Sequence, residues 1–302
     1  MHAYYIIDDS IGLAIQNRGL VLTRRYLQSY KSNCATAENP IKAKRSLGQN
    51  FLQDANIARK IVNCLVISAG EQVLEIGPGP GALTAFIEEH RPGRLVLVEK
   101  DPHWARERRR MADSGTTVVL ADALCMRWEA LGAPWKIIGN LPYNVASPLM
   151  WDICSRASGL TRAVFMIQKE VALRLTANPA TSAYGALTVW IQSHMRPKLE
   201  FVVPPHVFRP RPNVDSAVVS LTPLGDDTPR VGKSACSADK LAATLKACFQ
   251  KRRKQMGTIL KAFGQEPRSL EALGLDPRLR PEDLSPSDFQ RLAAAEIFFV
   301  KS

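Results

Sequence analysis

Apolar residues in this chain gather into short runs that alternate with stretches of helical spacing. Val73-Leu74-Glu75-Ile76 is the first run, and it leads into Gly77-Pro78-Gly79-Pro80-Gly81. Ala82-Leu83-Thr84-Ala85-Phe86-Ile87 then reads as the opening of a helix. Leu95-Val96-Leu97-Val98-Glu99, Thr117-Val118-Val119-Leu120-Ala121-Asp122 and Lys136-Ile137-Ile138-Gly139-Asn140 are the second to fourth runs. Ala163-Val164-Phe165-Met166-Ile167 predicts a fifth strand, Leu199-Glu200-Phe201-Val202-Val203 a sixth and Ser216-Ala217-Val218-Val219-Ser220-Leu221 a seventh. Apolar runs of this length predict buried strands. Helical spacing marks Ile57, Ile61 and Leu65 ahead of the first strand, and Leu241, Leu245, Cys248 and Phe249 after the last. Pro281-Glu282-Asp283-Leu284-Ser285 precedes a final amphipathic helix. Strands alternating with helices predict an α/β sheet, here followed by a small all-helical C-terminal region.

A strand that runs through a glycine loop into a helix is how such a sheet holds a nucleotide-like ligand at the carboxyl ends of its strands. The glycines permit positive φ and close backbone approach. The same letters also satisfy the dinucleotide pattern. A pyrophosphate, however, needs N–H donors at the helix N-terminus. Pro78 and Pro80 fill both spacer positions, and proline has no N–H. The loop therefore suits a ligand without phosphate, such as S-adenosylmethionine, which joins an adenosine to a zwitterionic amino acid. Glu99 follows Gly77 at about the twenty-residue spacing of a carboxylate that binds ribose hydroxyls, although a strand-end acid is also a common cap. Asp122, at the end of the third run, is placed to accept from an adenine amino group.

Asn140-Leu141-Pro142-Tyr143 closes the fourth run and is the most specific chemical signal in the chain. An amine conjugated to an aromatic ring is a poor nucleophile because its lone pair is delocalised. Acceptors held against its two N–H bonds make the nitrogen more tetrahedral. An asparagine carbonyl and the backbone carbonyl beside a proline are such acceptors, and Tyr143 offers a ring for a flipped base.

The full chain has 302 residues and a net charge of +12, with 46% hydrophobic residues. That length allows one large domain and a smaller one. No apolar run approaches the ~18 residues of a membrane span. The charge predicts an anionic macromolecular partner. Lys44 and Arg45, together with Lys251, Arg252, Arg253 and Lys254, are the clusters expected to meet phosphates. Pro204 to Pro212 is too proline-rich for regular structure and predicts a stiff loop presenting an exposed Phe208 with Arg209 and Arg211, the alternative being a Phe208 that faces the core. Arg106 to Arg110 reads as an exposed helical face. The six cysteines are scattered, with no CxxC pair, which argues against a zinc site or a disulfide framework and fits a reducing cytoplasm.

From about Lys42 onward the chain resembles the ribosomal RNA adenine dimethyltransferases, and within them the KsgA family acting on small-subunit rRNA. The resemblance rests on Ser46–Leu52 (SLGQNFL), Glu75–Thr84 (EIGPGPGALT), Glu99, Asp122 and Gly139–Asn144 (GNLPYN). Gln168–Leu175, Ala183–Gly185, Val203–Val218 and Phe249–Lys254 extend it in the same order. It implies a Rossmann-like class I methyltransferase sheet of seven strands and S-adenosylmethionine as cofactor. It further implies a cofactor site at Asn50, Leu52, Gly77, Glu99, Asp122 and Asn140. Asn140, Leu141, Pro142 and Tyr143 would form the catalytic loop, with Phe208 stacking on the target base. The implied product is two adjacent dimethylated adenosines near the 3′ end of 16S rRNA in an immature subunit. A cytoplasmic monomer without metal or membrane is expected.

The expected organisation is an extension over 1–40, poorly ordered, then a catalytic domain over 41–224. A linker over 225–236 and a helical RNA-binding domain over 237–302 complete it. Two departures, the neutral Pro179-Ala180-Thr181-Ser182 loop and Gly257-Thr258 after the basic cluster, bear on RNA docking rather than on chemistry. The rival readings are a macrolide-resistance-type methyltransferase of large-subunit rRNA, a non-catalytic rRNA assembly factor and a nicotinamide oxidoreductase. A DNA or small-molecule methyltransferase is a further one.

Overall fold

The computed structural model describes residues 48–132, 134–225 and 236–298. The expected extension over 1–40, most of the expected linker, and Lys44 and Arg45 lie outside the described residues.

In chain order the elements are β1 (Phe51–Leu52), α1 (Ala55–Leu65), β2 (Gln72–Ile76), α2 (Thr84–Glu89), β3 (Arg94–Glu99), α3 (Pro102–Met111) and β4 (Thr116–Leu120). There follow β5 (Trp135–Asn140), α4 (Ala146–Arg156), β6 (Leu160–Gln168), α5 (Lys169–Leu175), α6 (Ala186–His194), β7 (Met195–Val203), β8 (Phe208–Arg209) and β9 (Ser216–Pro223). The last helices are α7 (Ala238–Phe249), α8 (Met256–Lys261), α9 (Arg268–Glu271) and α10 (Pro286–Ala294).

Seven strands form one sheet in the order β4-β3-β2-β5-β6-β9-β7. The first five are parallel, and β9 runs antiparallel to both β6 and β7. The strands sort their side chains by parity, as the pleat requires. Val73, Leu95, Leu97, Ile138, Val164 and Val218 fall in one buried cluster with α1 and α2. Leu74, Ile76, Val96, Val98, Ile137, Phe165 and Val219 fall in the other, with α4 and α6. Both faces are covered, which is why the runs read as continuously apolar.

Helix α1 buries Ala58, Ile61, Val62 and Leu65 along one stripe. Asp54 caps its start, accepting from the N–H groups of Asn56 and Ile57 at 2.9 and 3.0 Å. The C-terminal helices do not close a core of their own. Leu241, Leu245, Met256, Ile259, Phe289 and Leu292 belong to the same apolar cluster as the α4 and α6 face of the sheet. Tyr184, fully buried, ties the two parts together by donating to the Leu284 carbonyl at 2.7 Å. No described helix is long and apolar enough to cross a membrane.

A buried acid interrupts the apolar run of β2. Glu75 is 1% exposed and accepts from Thr84 Oγ1 at 2.7 Å. Burial pushes its carboxyl up to about 8, against the smaller opposing effects of the Thr84 hydrogen bond and the Arg108 charge. The folded chain therefore holds a proton that the unfolded chain has released. The stability this confers is full below the ordinary carboxyl range and is lost as pH rises through about 8. The melting temperature should fall over that range, by about 2–4 °C for each kcal/mol lost. Glu75→Gln should flatten the profile, and an equally steep fall in that variant would show that the carboxyl is ionised throughout.

Candidate active site

The connections from β2 and β5 leave in opposite directions across the sheet, so a crevice opens at their carboxyl ends. Its wall includes Gly77 and Gly79 from the glycine loop, Glu99 at the end of β3, Asp122 after β4, and Asn140 to Tyr143 at the end of β5 and beyond it. Register explains the convergence. Ile76 lies beside Val98 and Gly139, and Asn140 beside Met166, so the strand ends stand level.

Gly77, Gly79 and Gly81 all have positive φ, at 67°, 50° and 93°. Each of their N–H groups is engaged within the protein. Gly77 donates to the Val98 carbonyl at 2.8 Å, Gly79 to Glu99 Oε2 at 3.0 Å and Gly81 to the Pro78 carbonyl at 2.8 Å. With Pro78 and Pro80 between them, no N–H from 77 to 81 is left for a phosphate. A Cβ built on Gly77 meets no protein atom within 4 Å, so the space before it belongs to the crevice.

Glu99 is 5% exposed and accepts from Asp101 N–H at 2.8 Å as well as from Gly79. Burial raises its carboxyl above the usual range, and these two N–H groups oppose the shift. Asp122 accepts the Leu124 N–H through Oδ1 at 3.0 Å and pairs with Lys100 through Oδ2 at 2.7 Å. A ribose and an adenine amine fit this set of acceptors, and the charge-engaged loop fits a cofactor without phosphate.

The segment Gly48 to Phe51 covers one side of the crevice. The Phe51 ring meets Gly79, where an added Cβ would lie 3.2 Å from it, and stands edge-on to Trp104 at 5.5 Å. Leu52 is not in the wall. Its side chain is 5% exposed, in the cluster with Val207 and Phe208. Phe51 was not singled out from the sequence, although it sits inside the SLGQNFL motif.

Asn140 Nδ2 donates to the Asn50 carbonyl at 3.0 Å. That bond sets the amide, leaving Oδ1 as an acceptor. The Leu141 N–H donates to Met166 O at 3.0 Å, and the Pro142 carbonyl accepts from Val145 and Ala146, both at 3.1 Å. The carbonyl between them, that of Leu141, accepts no hydrogen bond among the described residues. Tyr143 bonds through its hydroxyl to Ser216 Oγ at 2.9 Å.

The Pro204–Pro212 segment differs from the expectation of an irregular loop with an exposed aromatic. Phe208 and Arg209 form β8, paired antiparallel with β1. Phe208 is 2% exposed and at the same time lines the crevice. The prolines bracket these two residues without removing an N–H from either, and that of Phe208 donates to the Pro205 carbonyl. Arg209 and Arg211 are exposed.

The C-terminal basic cluster divides. Lys251, Arg253 and Lys254 are exposed. Arg252 is half-buried, donates to Glu282 at 2.7 Å and reaches the Ser182 carbonyl at 2.9 Å. It clamps the neutral 179–182 loop, whose Ala180 N–H also donates to the Glu282 carbonyl at 2.7 Å. Arg252 is thus a structural ion pair rather than an open phosphate contact. Gly257 packs on Pro277, leaving no room for a larger side chain without a shift. The arginine-dense face of α3 is likewise only partly open. Arg109 donates to the Val118 carbonyl at 3.2 Å, and Arg108 lies against Gly81.

Residues 41–294 match the family described as ribosomal RNA adenine dimethylase. The chain belongs to this family. Its cofactor is S-adenosylmethionine and its substrate class is rRNA. It is 56% identical over 263 residues to ribosomal RNA small subunit methyltransferase A of Nitratidesulfovibrio vulgaris, covering 85% of this chain and 97% of that one. Its counterpart in Lawsonia intracellularis is 47% identical, with 85% and 94% covered. Among solved structures, a dimethyladenosine transferase from Plasmodium falciparum superposes with a TM-score of 0.64 at 23% identity, covering 80% of this chain and 95% of that one. The 23S rRNA methyltransferase ErmE gives 0.61 at 24%, with 81% and 98% covered. These two likenesses establish the class I methyltransferase fold of the dimethylase.

Arg252→Ala should lower the melting temperature by about 2–4 °C, for the roughly 1 kcal/mol of a partly exposed charged hydrogen-bond pair. Arg253→Ala should leave it unchanged. Equal melting temperatures for both, measured by differential scanning fluorimetry, would show that the Arg252 clamp contributes nothing.

Proposed function

We propose that this dimethylase modifies the exocyclic amines of two adjacent adenosines near the 3′ end of 16S small-subunit rRNA. It acts in the cytoplasm as a monomer, on an immature ribosomal subunit, and so contributes to small-subunit biogenesis. The observation that carries the reading is the Asn140 amide. Its NH₂ is held by Asn50 O, so that Oδ1 and the Leu141 carbonyl, unengaged among the described residues, are two acceptors at the strand end. Two acceptors match the two N–H bonds of an adenine amine, and drawing on both localises the nitrogen lone pair. Pro142 fixes the Leu141 carbonyl's direction, while Tyr143 and Phe208 supply ring surface for the base.

When bound, S-adenosylmethionine supplies an electrophilic methyl group for direct in-line transfer to the amine. Glu99 would hold its ribose, Asp122 its adenine, and Asn50, Gly77 and Asn140 the remainder of the cofactor through side chain or backbone. The residues contribute positioning and hydrogen bonding. Small-subunit rRNA is favoured over large-subunit rRNA by relatives at 47–56% identity that carry the small-subunit name. The likeness to ErmE is one of fold alone. Residues 237–302, with Lys251, Arg253 and Lys254, would hold the rRNA, together with Lys44, Arg45, Arg209 and Arg211.

Labelled S-adenosylmethionine, incubated with small subunits lacking the dimethyladenosines and separately with large-subunit rRNA, tests this directly. Label on two adjacent adenosines near the small-subunit 3′ end is expected. Label on large-subunit rRNA alone would move the protein to the resistance type, and cofactor binding without label would favour an assembly factor. Asn140→Ala should abolish transfer while leaving rRNA affinity largely intact, and full activity would remove Asn140 from the catalytic loop. Neutralising Arg253 and Lys254 together should reduce the salt slope of rRNA binding by about 2. An unchanged slope would place the phosphates elsewhere.

A further inference from the structure

Ser216 opens β9, between β6 and β7, and is paired on both sides, with Gln168 and with Val203. Its backbone is therefore fixed by the interior of the sheet. Its side chain is 1% exposed and is no part of the crevice wall. Yet its hydroxyl lies 2.9 Å from the hydroxyl of Tyr143, which does line the crevice. The polypeptide from Leu141 to Asn144 lies outside regular structure, and the other bonds that hold it are to its backbone. Among the described residues, the hydroxyl pair is the one side-chain hydrogen bond that tethers Tyr143.

We infer that Ser216 is a positioning residue for the methyl transfer, holding the Tyr143 ring at the angle at which it meets the target adenine. The inference rests on the adenine-methylating role proposed above for the catalytic loop. A ring on a short irregular segment has rotational freedom about its side-chain bonds. Anchoring its far end to a sheet strand removes that freedom before the base arrives, which is the kind of preorganisation that lowers a barrier. The same contact defines what Tyr143 does not do. Its hydroxyl is directed at a group outside the wall, so the crevice receives ring carbons, and Tyr143 takes part through its face rather than as an acid or base. Neighbouring contacts support the anchor from below. Asp215 pairs with Lys169 Nζ at 3.1 Å, and its carbonyl accepts the Lys169 N–H at 3.0 Å, which pins the start of β9 to the end of β6.

A double-mutant cycle over Ser216→Ala and Tyr143→Phe tests the inference, read as kcat, KM and cofactor affinity with the small-subunit substrate. Each variant removes one hydroxyl and keeps the ring. Each should lower kcat about threefold to tenfold, the range of one hydrogen bond, with affinity for S-adenosylmethionine unchanged. The double variant should be no slower than either single one, because both remove the same contact. Multiplying losses would overturn the inference, as would Ser216→Ala at the wild-type kcat. A parallel loss of cofactor affinity would also overturn it, by showing a structural role. Tyr143→Phe far slower than Ser216→Ala would instead make the phenol a participant in proton transfer. The wild type and Tyr143→Ala are the controls for the underlying reading. A wild type that labels no adenosine, or a fully active Tyr143→Ala, would defeat the catalytic assignment itself rather than the anchor.

Discussion

Everything at the crevice depends on β2 being hydrogen-bonded in parallel to β3 on one side and β5 on the other. Parallel pairing makes the strand ends level, and the opposed connections open a gap that neither helical layer fills. The glycine loop, Glu99 and Asn140 then come together from points far apart in the chain without any of them having to reach. Glu99 reinforces this by accepting the Gly79 N–H, so that the end of β3 holds the loop after β2. Asn140 does the same for the covering segment through Asn50. The crevice is a set of backbone termini tied to one another by buried side chains.

The charges separate by depth. Glu75 and Glu99 are buried acids, each raised by desolvation, while Lys251, Arg253 and Lys254 stand in solvent. An interior that tolerates carboxyls beneath a strongly cationic surface suits a protein whose cofactor carries hydroxyls and a sulfonium and whose substrate is a polyanion. Arg252 belongs to neither group, because Glu282 and the Ser182 carbonyl occupy it.

Much of this was legible in the sequence because the sheet is covered on both faces. Apolar runs then mark strands with little ambiguity, and all seven were visible. The loop prolines were informative for a similar reason, since the absence of an N–H is a local property of the residue. Other features depend on partners distant in the chain. Nothing in Lys251 to Lys254 indicates which member meets a carboxylate thirty positions on. The burial of Phe208 accompanies its pairing with Leu52, in a two-residue strand set between prolines that no periodicity can reveal. That the C-terminal helices share the sheet's apolar cluster was equally hidden, because an amphipathic stripe does not name what it faces.

The engagement of every loop N–H also bears on competition inside a cell. Adenine nucleotides share with the cofactor the adenosine half that Glu99 and Asp122 are proposed to meet, and they are abundant. A polyphosphate entering this crevice would find prolines and satisfied amides where phosphate-binding loops offer donors. To bind it, the loop would have to give up the Gly79 bond and leave a buried carboxylate facing an anion. Within Gly77 to Gly81, discrimination against a polyphosphate would need no gate and no bulky side chain. It would lie in the backbone of five residues and act by withholding a partner rather than by blocking the way in.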